Sequence, residues 1–258
     1  GADSQILVAL ADSTKPPLFL IHPVGGDVLC YGDLAQALRP DFSVYGLRAR
    51  GLGGEPPFPS FGDMVATYVN EIRSVQPVGP YRVGGQSLGG IIALAVARML
   101  EQSGEQVEQV LLLDTFSPAY LRDAYGSDAD IMSAALGRNL AGVAPETAAG
   151  SEDYVQRMYR AAAGAGILPA DVPEAVFHAI FRVAVNNHRL ASQTEVESIR
   201  AKVHHFTAQD NPATVPSGKT WQNVGLDLVT HTVPGGHETL MQGPNAAPLA
   251  RLISSLCK

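Results

Sequence analysis

The chain has 258 residues, 46% of them hydrophobic and 17% charged, which suits a well-packed enzyme-like body with a full core and argues against disorder. Its formal net charge is -7, and with no basic run anywhere it gives no support to a nucleic-acid partner. Two cysteines, Cys30 and Cys257, are too few and too far apart for a disulfide framework or a metal site, so free thiols in a reducing, cytoplasmic setting are expected.

No stretch is long and apolar enough to cross a membrane, and the N-terminus lacks the charged and apolar regions of a signal peptide. The chain opens on "GADSQ" rather than methionine, which suggests a domain excised from something larger and monomeric by itself. Residues 1–17 are read as a polar lead ending in "KPP", the edge of a linker. "LFLIH" then predicts a short buried strand, "GDLAQAL" the start of a helix and "FSVYGLR" a second strand. Val65, Tyr68, Val69 and Ile72 recur at helical spacing across residues 63–75. "YRVGG" is the next strand, "GGIIALAVARMLEQSG" a strongly patterned helix, and "VEQVLLLDT" a further strand. Short apolar runs alternating with helices mean βαβ units and a mostly parallel sheet, an α/β fold.

The rhythm changes from about residue 119 to 200, where helical segments follow one another without a strand between them. Such an insert is expected to cap the ligand edge of the sheet, beyond the carboxyl ends of its strands. Strands "VHHFTA" and "LDLVTHTV" and a last helix, "PNAAPLARLISSL", resume the alternation. Residues 18–258 are thus read as one domain carrying a helical lid.

Chemistry concentrates in "GGQSLGG", which holds the pattern G-x-S-x-G at Gly85–Gly89. A strand runs into it and a helix runs out of it, the setting of a nucleophile elbow, in which a strained serine stands exposed on a tight turn. Ser87 is therefore the candidate nucleophile, with Gly85 and Gly89 leaving room for strand and helix to close on each other. A serine hydroxyl needs a base to take its proton. His237, in the glycine-rich "VPGGHETLM" after the last strand, stands where the hydrolase order Ser, Asp, His places one. Two aspartates qualify as the acid that orients the base, Asp114 after "VLLL" and Asp210 after "VHHFTAQ", and spacing does not separate them. Oxyanion donors are expected from the backbone N–H of Leu88 and from Val24 in "IHPVGG". No metal cluster, phosphate loop or dinucleotide fingerprint is present, and no bound cofactor is expected.

Taken together, "PLFLIHPVGGDVLCYGDLAQAL", "FSVYGLRARGL", "GPYRVGGQSLGGIIALAVARML", "VLLLDTFSP" and "VPGGHETLM" resemble, in order and spacing, the chain-terminating thioesterase domains of nonribosomal peptide synthetases and polyketide synthases. The resemblance implies an α/β-hydrolase fold with the helical lid inserted after the strand that ends at Asp114. It implies Asp114 rather than Asp210 as the triad acid. It also implies a peptidyl carrier protein as partner, delivering a peptidyl or polyketidyl thioester on its phosphopantetheine arm. Ser87 would take the chain as an ester and release it by hydrolysis or macrocyclisation. Gln86 stands where that family more often carries an aromatic residue or histidine. A free-standing editing thioesterase, another serine esterase of the same fold and an inactive binding module are the competing readings.

Overall fold

The computed structural model describes residues 5–140, 152–169, 171–211, 217–222 and 224–257. Among these residues, seven strands form one sheet in the order β1-β3-β2-β4-β5-β6-β7. They are β1 Leu7–Ala11, β2 Pro17–Ile21, β3 Ser43–Leu47, β4 Tyr81–Gln86, β5 Val107–Leu113, β6 Lys202–Ala208 and β7 Leu228–Val233. Every neighbouring pair is parallel except β1 with β3, which is antiparallel.

β1 corrects the reading of residues 1–17 as a polar lead. "LVALA" is a short apolar run, and as an edge strand it needs only one partner, which β3 supplies from Leu7↔Leu47 to Ala11↔Val44. Only its last residue is buried, so its hydrophobic signal is weak beside those of the central strands.

The inner strands are hydrophobic on both faces because helices cover both. Leu18, Leu20, Val44, Leu111, Leu113 and Phe206 share one core with α1 (Gly32–Leu38) and α8 (Ala246–Leu256). The other face sends Phe19, Ile21, Val83, Val110 and Leu112 against α2 (Phe61–Val75) and α3 (Leu88–Gln102). Ser60 caps α2 by accepting from the Asp63 N–H, which satisfies one of the donors a helix start leaves open. From that cap Met64, Val65, Tyr68, Val69 and Ile72 form one buried stripe.

Between β5 and β6 the chain leaves the sheet to build α4 (Pro118–Ala124), α5 (Asp128–Leu136), α6 (Glu152–Gly164) and α7 (Glu174–Ser192). The sequence pattern does not single out α4. Its start is set by Ser117, which accepts from the Tyr120 N–H, and by Pro118 in the first turn. Residues 141–151 of the insert lie outside the described residues. Among the described residues, no helix is long and apolar enough to cross a membrane.

The topology places the site. β2 feeds α1 and β3 on one side, whereas β4, its other neighbour, feeds α3 on the opposite face. Loops leaving adjacent strands toward opposite faces open a crevice at their carboxyl ends. The "HPVGG" and "SLGG" segments leave from those two ends.

Candidate active site

Ser87 sits between β4 and α3 at φ 53, ψ -124, a region that non-glycine residues occupy only when their surroundings force them to. The surroundings here are backbone. A Cβ on Gly85 would lie 2.3 Å from the carbonyl carbon of Gly89, and one on Gly89 would lie 2.3 Å from the Ile21 oxygen. The elbow is thus the place where β2, β4 and α3 approach more closely than any side chain permits. The Ser87 N–H donates to Leu113 O at 2.9 Å, tying the turn to the end of β5. Tyr31, fully buried, ties it to β2: its hydroxyl donates to Ile21 O (2.6 Å) and accepts from the Gln86 N–H (2.8 Å).

Asp114 follows β5 at φ 47 with no exposed surface. Oδ1 accepts from the Ala208 N–H (3.0 Å) and the Ser217 hydroxyl (2.7 Å), while Oδ2 accepts from Asn211 Nδ2 (2.7 Å) and faces His237 Nδ1 at 2.7 Å. Burial alone would raise this carboxyl's pKa. The bond and charge of His237, with the donors from Asn211 and Ala208, outweigh it and hold the group down at about 2. An ionised carboxylate can only accept, so His237 Nδ1 carries the proton and Nε2 of the neutral ring is left bare as a base.

His237 itself is only partly buried, on a turn shaped by Gly235 at φ 95. A Cβ on Gly235 would press on Asn245 and on the backbone of Leu240. Gln86 donates from Nε2 to the His237 carbonyl at 2.9 Å, so the residue preceding the serine holds the histidine's loop. Among the described residues, Ser87 Oγ and His237 Nε2 are not hydrogen-bonded to each other. The ring of Phe116 lies 5.4 Å from the His237 ring and stacks on Tyr120.

The structure therefore brings His237 to Asp114 and not to Asp210. Asp210 is exposed, and its backbone N–H donates to Gly235 O at 3.0 Å, so it supports the histidine loop through its main chain. Val24 and Leu88, the two expected oxyanion donors, both line the small cavity beside Ser87. Among the described residues neither of their N–H groups donates to a backbone acceptor. The contacts of Gln86 with the His237 loop, of Asn211 and Ser217 with Asp114 and of Tyr31 with Gln86 were not anticipated, because they join residues 55 to 151 positions apart in the chain.

The helical insert closes over this arrangement. Asn187 of α7 is buried and donates to Val24 O at 3.1 Å. Leu121, Tyr125, Ile131, Ala134 and His188 complete the cavity at Ser87, which measures about 10 Å³, room for about one water molecule. A larger cavity of about 190 Å³ lies between α2, α3 and residues 194–197 and contains none of the site residues.

The chain is similar to parts of known synthetases and to solved thioesterase domains. A probable nonribosomal peptide synthetase of Salinispora arenicola, CymA, is 31% identical over 235 residues, 88% of this chain and 3% of that protein. A dimodular nonribosomal peptide synthase of Bacillus subtilis is 42% identical over 119 residues, 45% of this chain and 5% of that protein. The chain thus spans a small fraction of the length of the curated relatives it matches. Among solved structures, the NocB thioesterase domain in covalent complex with a fluorophosphonate nocardicin G analogue superposes with a TM-score of 0.69 at 26% identity, covering 98% of this chain and all of that one. The thioesterase domain family matches residues 16–257. An α/β-hydrolase sheet with a helical lid, a strained serine at its crevice and a match over nearly the whole length lead to one assignment: the chain belongs to the thioesterase domain family.

Proposed function

We propose that the chain is the releasing domain of a nonribosomal peptide synthetase, with Ser87 as nucleophile, His237 as general base and Asp114 as the acid that orients it. One observation carries the reading. The fully buried Asp114 carboxylate is held by Ala208, Asn211 and Ser217 and presents its remaining contact to His237, whose loop Gln86 fastens to the serine elbow. A buried charge costs several kcal/mol unless it is fully bonded, and this one is bonded so that its partner is a histidine whose loop is tied to the residue preceding the strained serine.

In the first step Ser87 Oγ attacks the thioester carbonyl carbon while Nε2 of His237 takes the hydroxyl proton. The resulting imidazolium is stabilised by Asp114. Negative charge gathers on the former carbonyl oxygen, where the N–H groups of Val24 and Leu88 receive it. Collapse breaks the carbon–sulfur bond, and the departing thiolate takes the proton back from His237, leaving an acyl ester on Ser87. Water, or an amine or hydroxyl of the chain itself, then attacks the ester with His237 again as base, and the serine is restored.

The substrate would be a peptidyl chain carried as a thioester on the phosphopantetheine arm of a carrier protein. The relatives' nature as synthetases supports that partner. The cavity of about 10 Å³ at Ser87 cannot hold such a chain, so α4, α5 and α7 must withdraw before acylation. The same movement would let Ser87 and His237 close their hydrogen bond around the substrate, as such bonds tighten in the reacting complex. A fluorophosphonate probe tests the reading: it should label the native protein at Ser87, and Ser87→Ala should abolish both labelling and turnover while the variant remains folded. Labelling elsewhere, or turnover by the alanine variant, would overturn it.

A further inference from the structure

His22 has no part in the steps above, yet it is fully buried at the end of β2, directly before the loop that carries Val24. Its Nδ1 lies 2.7 Å from the Pro23 carbonyl oxygen and its Nε2 2.6 Å from the hydroxyl of Tyr68, in the middle of α2. A carbonyl oxygen can only accept, so the proton sits on Nδ1. Burial lowers the pKa of the ring to about 4, which keeps it neutral near neutral pH and leaves Nε2 bare to accept the phenolic proton. That single proton goes to Nε2 rather than to Arg48 O, which is farther away at 3.3 Å. Donation therefore runs in one direction, from Tyr68 through His22 to the Pro23 carbonyl.

The Pro23 carbonyl and the Val24 N–H are opposite ends of one planar amide. A donor that fixes the carbonyl therefore fixes where the N–H points, and polarising the carbonyl makes that N–H a stronger donor. The Gly26 N–H adds a second bond to Pro23 O at 3.0 Å, and Asn187 holds the following peptide by Val24 O. The Pro23–Val24 amide is thus held from inside the core through α2, a hold that does not depend on α7 and persists when the insert withdraws.

We propose that Tyr68 and His22 form a positioning relay that aims and polarises the Val24 N–H toward the oxyanion. The proposal rests on the reading of Val24 as an oxyanion donor. Three variants test it, with rates on an acyl thioester expressed per active site titrated by a fluorophosphonate. His22→Gln places an amide near Nε2 and removes the donor at Nδ1. It should lower kcat and kcat/KM together by on the order of 10² with KM unchanged, as loss of a contact made only in the transition state requires. His22→Asn keeps an N–H near the position of Nδ1 and should recover kcat to within about tenfold of native. Tyr68→Phe, which removes one oxygen, should lower kcat by about tenfold. If His22→Gln does not fold, Tyr68→Phe decides alone. Unchanged kcat per titrated site in the variants that fold, or a loss confined to KM, overturns the relay and leaves the serine mechanism standing. A native protein that forms no acyl-enzyme at Ser87 overturns both.

Discussion

At the residue scale the two candidate aspartates differ in what each can touch. Asp114 has no exposed surface and meets His237 at 2.7 Å, whereas Asp210 is exposed and contributes its main chain to the histidine's turn. Replacing Asp114 by asparagine keeps the shape but can present an N–H to Nδ1, which favours the tautomer that cannot serve as base. Asp114→Asn should therefore lower the acylation rate by about 10³ to 10⁴, and Asp210→Asn should change it by less than about tenfold. Burst kinetics on both variants, each first checked for native circular dichroism, makes the comparison. A slow Asp210→Asn beside a fast Asp114→Asn would reverse the assignment. In the sequence, both aspartates follow a strand by the same logic, so only the resemblance to a known family favoured Asp114. The donors that make it a buried acceptor, Ala208, Asn211 and Ser217, come from 94 to 103 residues further on, and no local pattern announces them.

At the element scale, the elbow is a packing problem solved by glycine. A methyl group on Gly89 would lie 2.3 Å from Ile21 O and 2.7 Å from His22 O, and both are backbone atoms that cannot rotate away. Gly89→Ala must push α3 away from β2 or bend the loop that follows β2, and overpacking of that kind costs typically about 1–3 kcal/mol. We expect a loss at or above the top of that range, measured by urea unfolding, together with loss of activity in the fraction that remains folded. A variant as stable and active as the native protein would mean that β2 and α3 are not held so closely. Here the sequence was highly legible. Four glycines around one serine, between an apolar run and a helix, mark a turn where backbone meets backbone, as it does at Gly85 and Gly89. The strand at Leu7–Ala11 was not legible, because an edge strand buried at one residue carries little of the periodicity that marks the inner ones. The short helix α4 was missed for a related reason, since seven residues give less than two full turns of pattern.

On the scale of the whole molecule, two buried histidines make stability depend on pH. Burial lowers the pKa of His22 and of His205 to about 4 in each case, with the charge of Asp114 partly opposing the shift at His205. The unfolded chain binds a proton at each near pH 6.5, so between about pH 6.5 and 4 the unfolded state holds more protons and stability falls as the pH falls. Asp114 has the same sign at lower pH: its pKa is depressed to about 2, so its contribution is present above about pH 4 and is lost as the pH drops toward 2. Two histidines give a slope of up to about 2.7 kcal/mol per pH unit. Urea midpoints at pH 7, 6 and 5 should show the decline, to which the lowered pKa values of His204 and His231 add with the same sign, and His205→Leu should reduce its slope. A flat profile over that range would show that these rings gain protons in the folded state as readily as in the unfolded one. Histidine burial of this kind was hidden in the sequence, where "VHHFTA" reads as a strand but does not show that His205 faces the core beside Trp221, with their rings 6.4 Å apart.

The whole arrangement serves one claim, that a carrier-borne acyl chain passes through an ester on Ser87. Intact-protein mass spectrometry tests it most directly. The protein is mixed with a carrier protein whose phosphopantetheine thiol bears a short peptidyl thioester, quenched in acid within the first turnover, and digested to locate the added mass. The native protein should gain the mass of the acyl group on the peptide containing Ser87, Asp114→Asn should gain it far more slowly, and Ser87→Ala should never gain it. Product release without any acylated protein, or an acyl group retained by Ser87→Ala, would rule out an ester on Ser87.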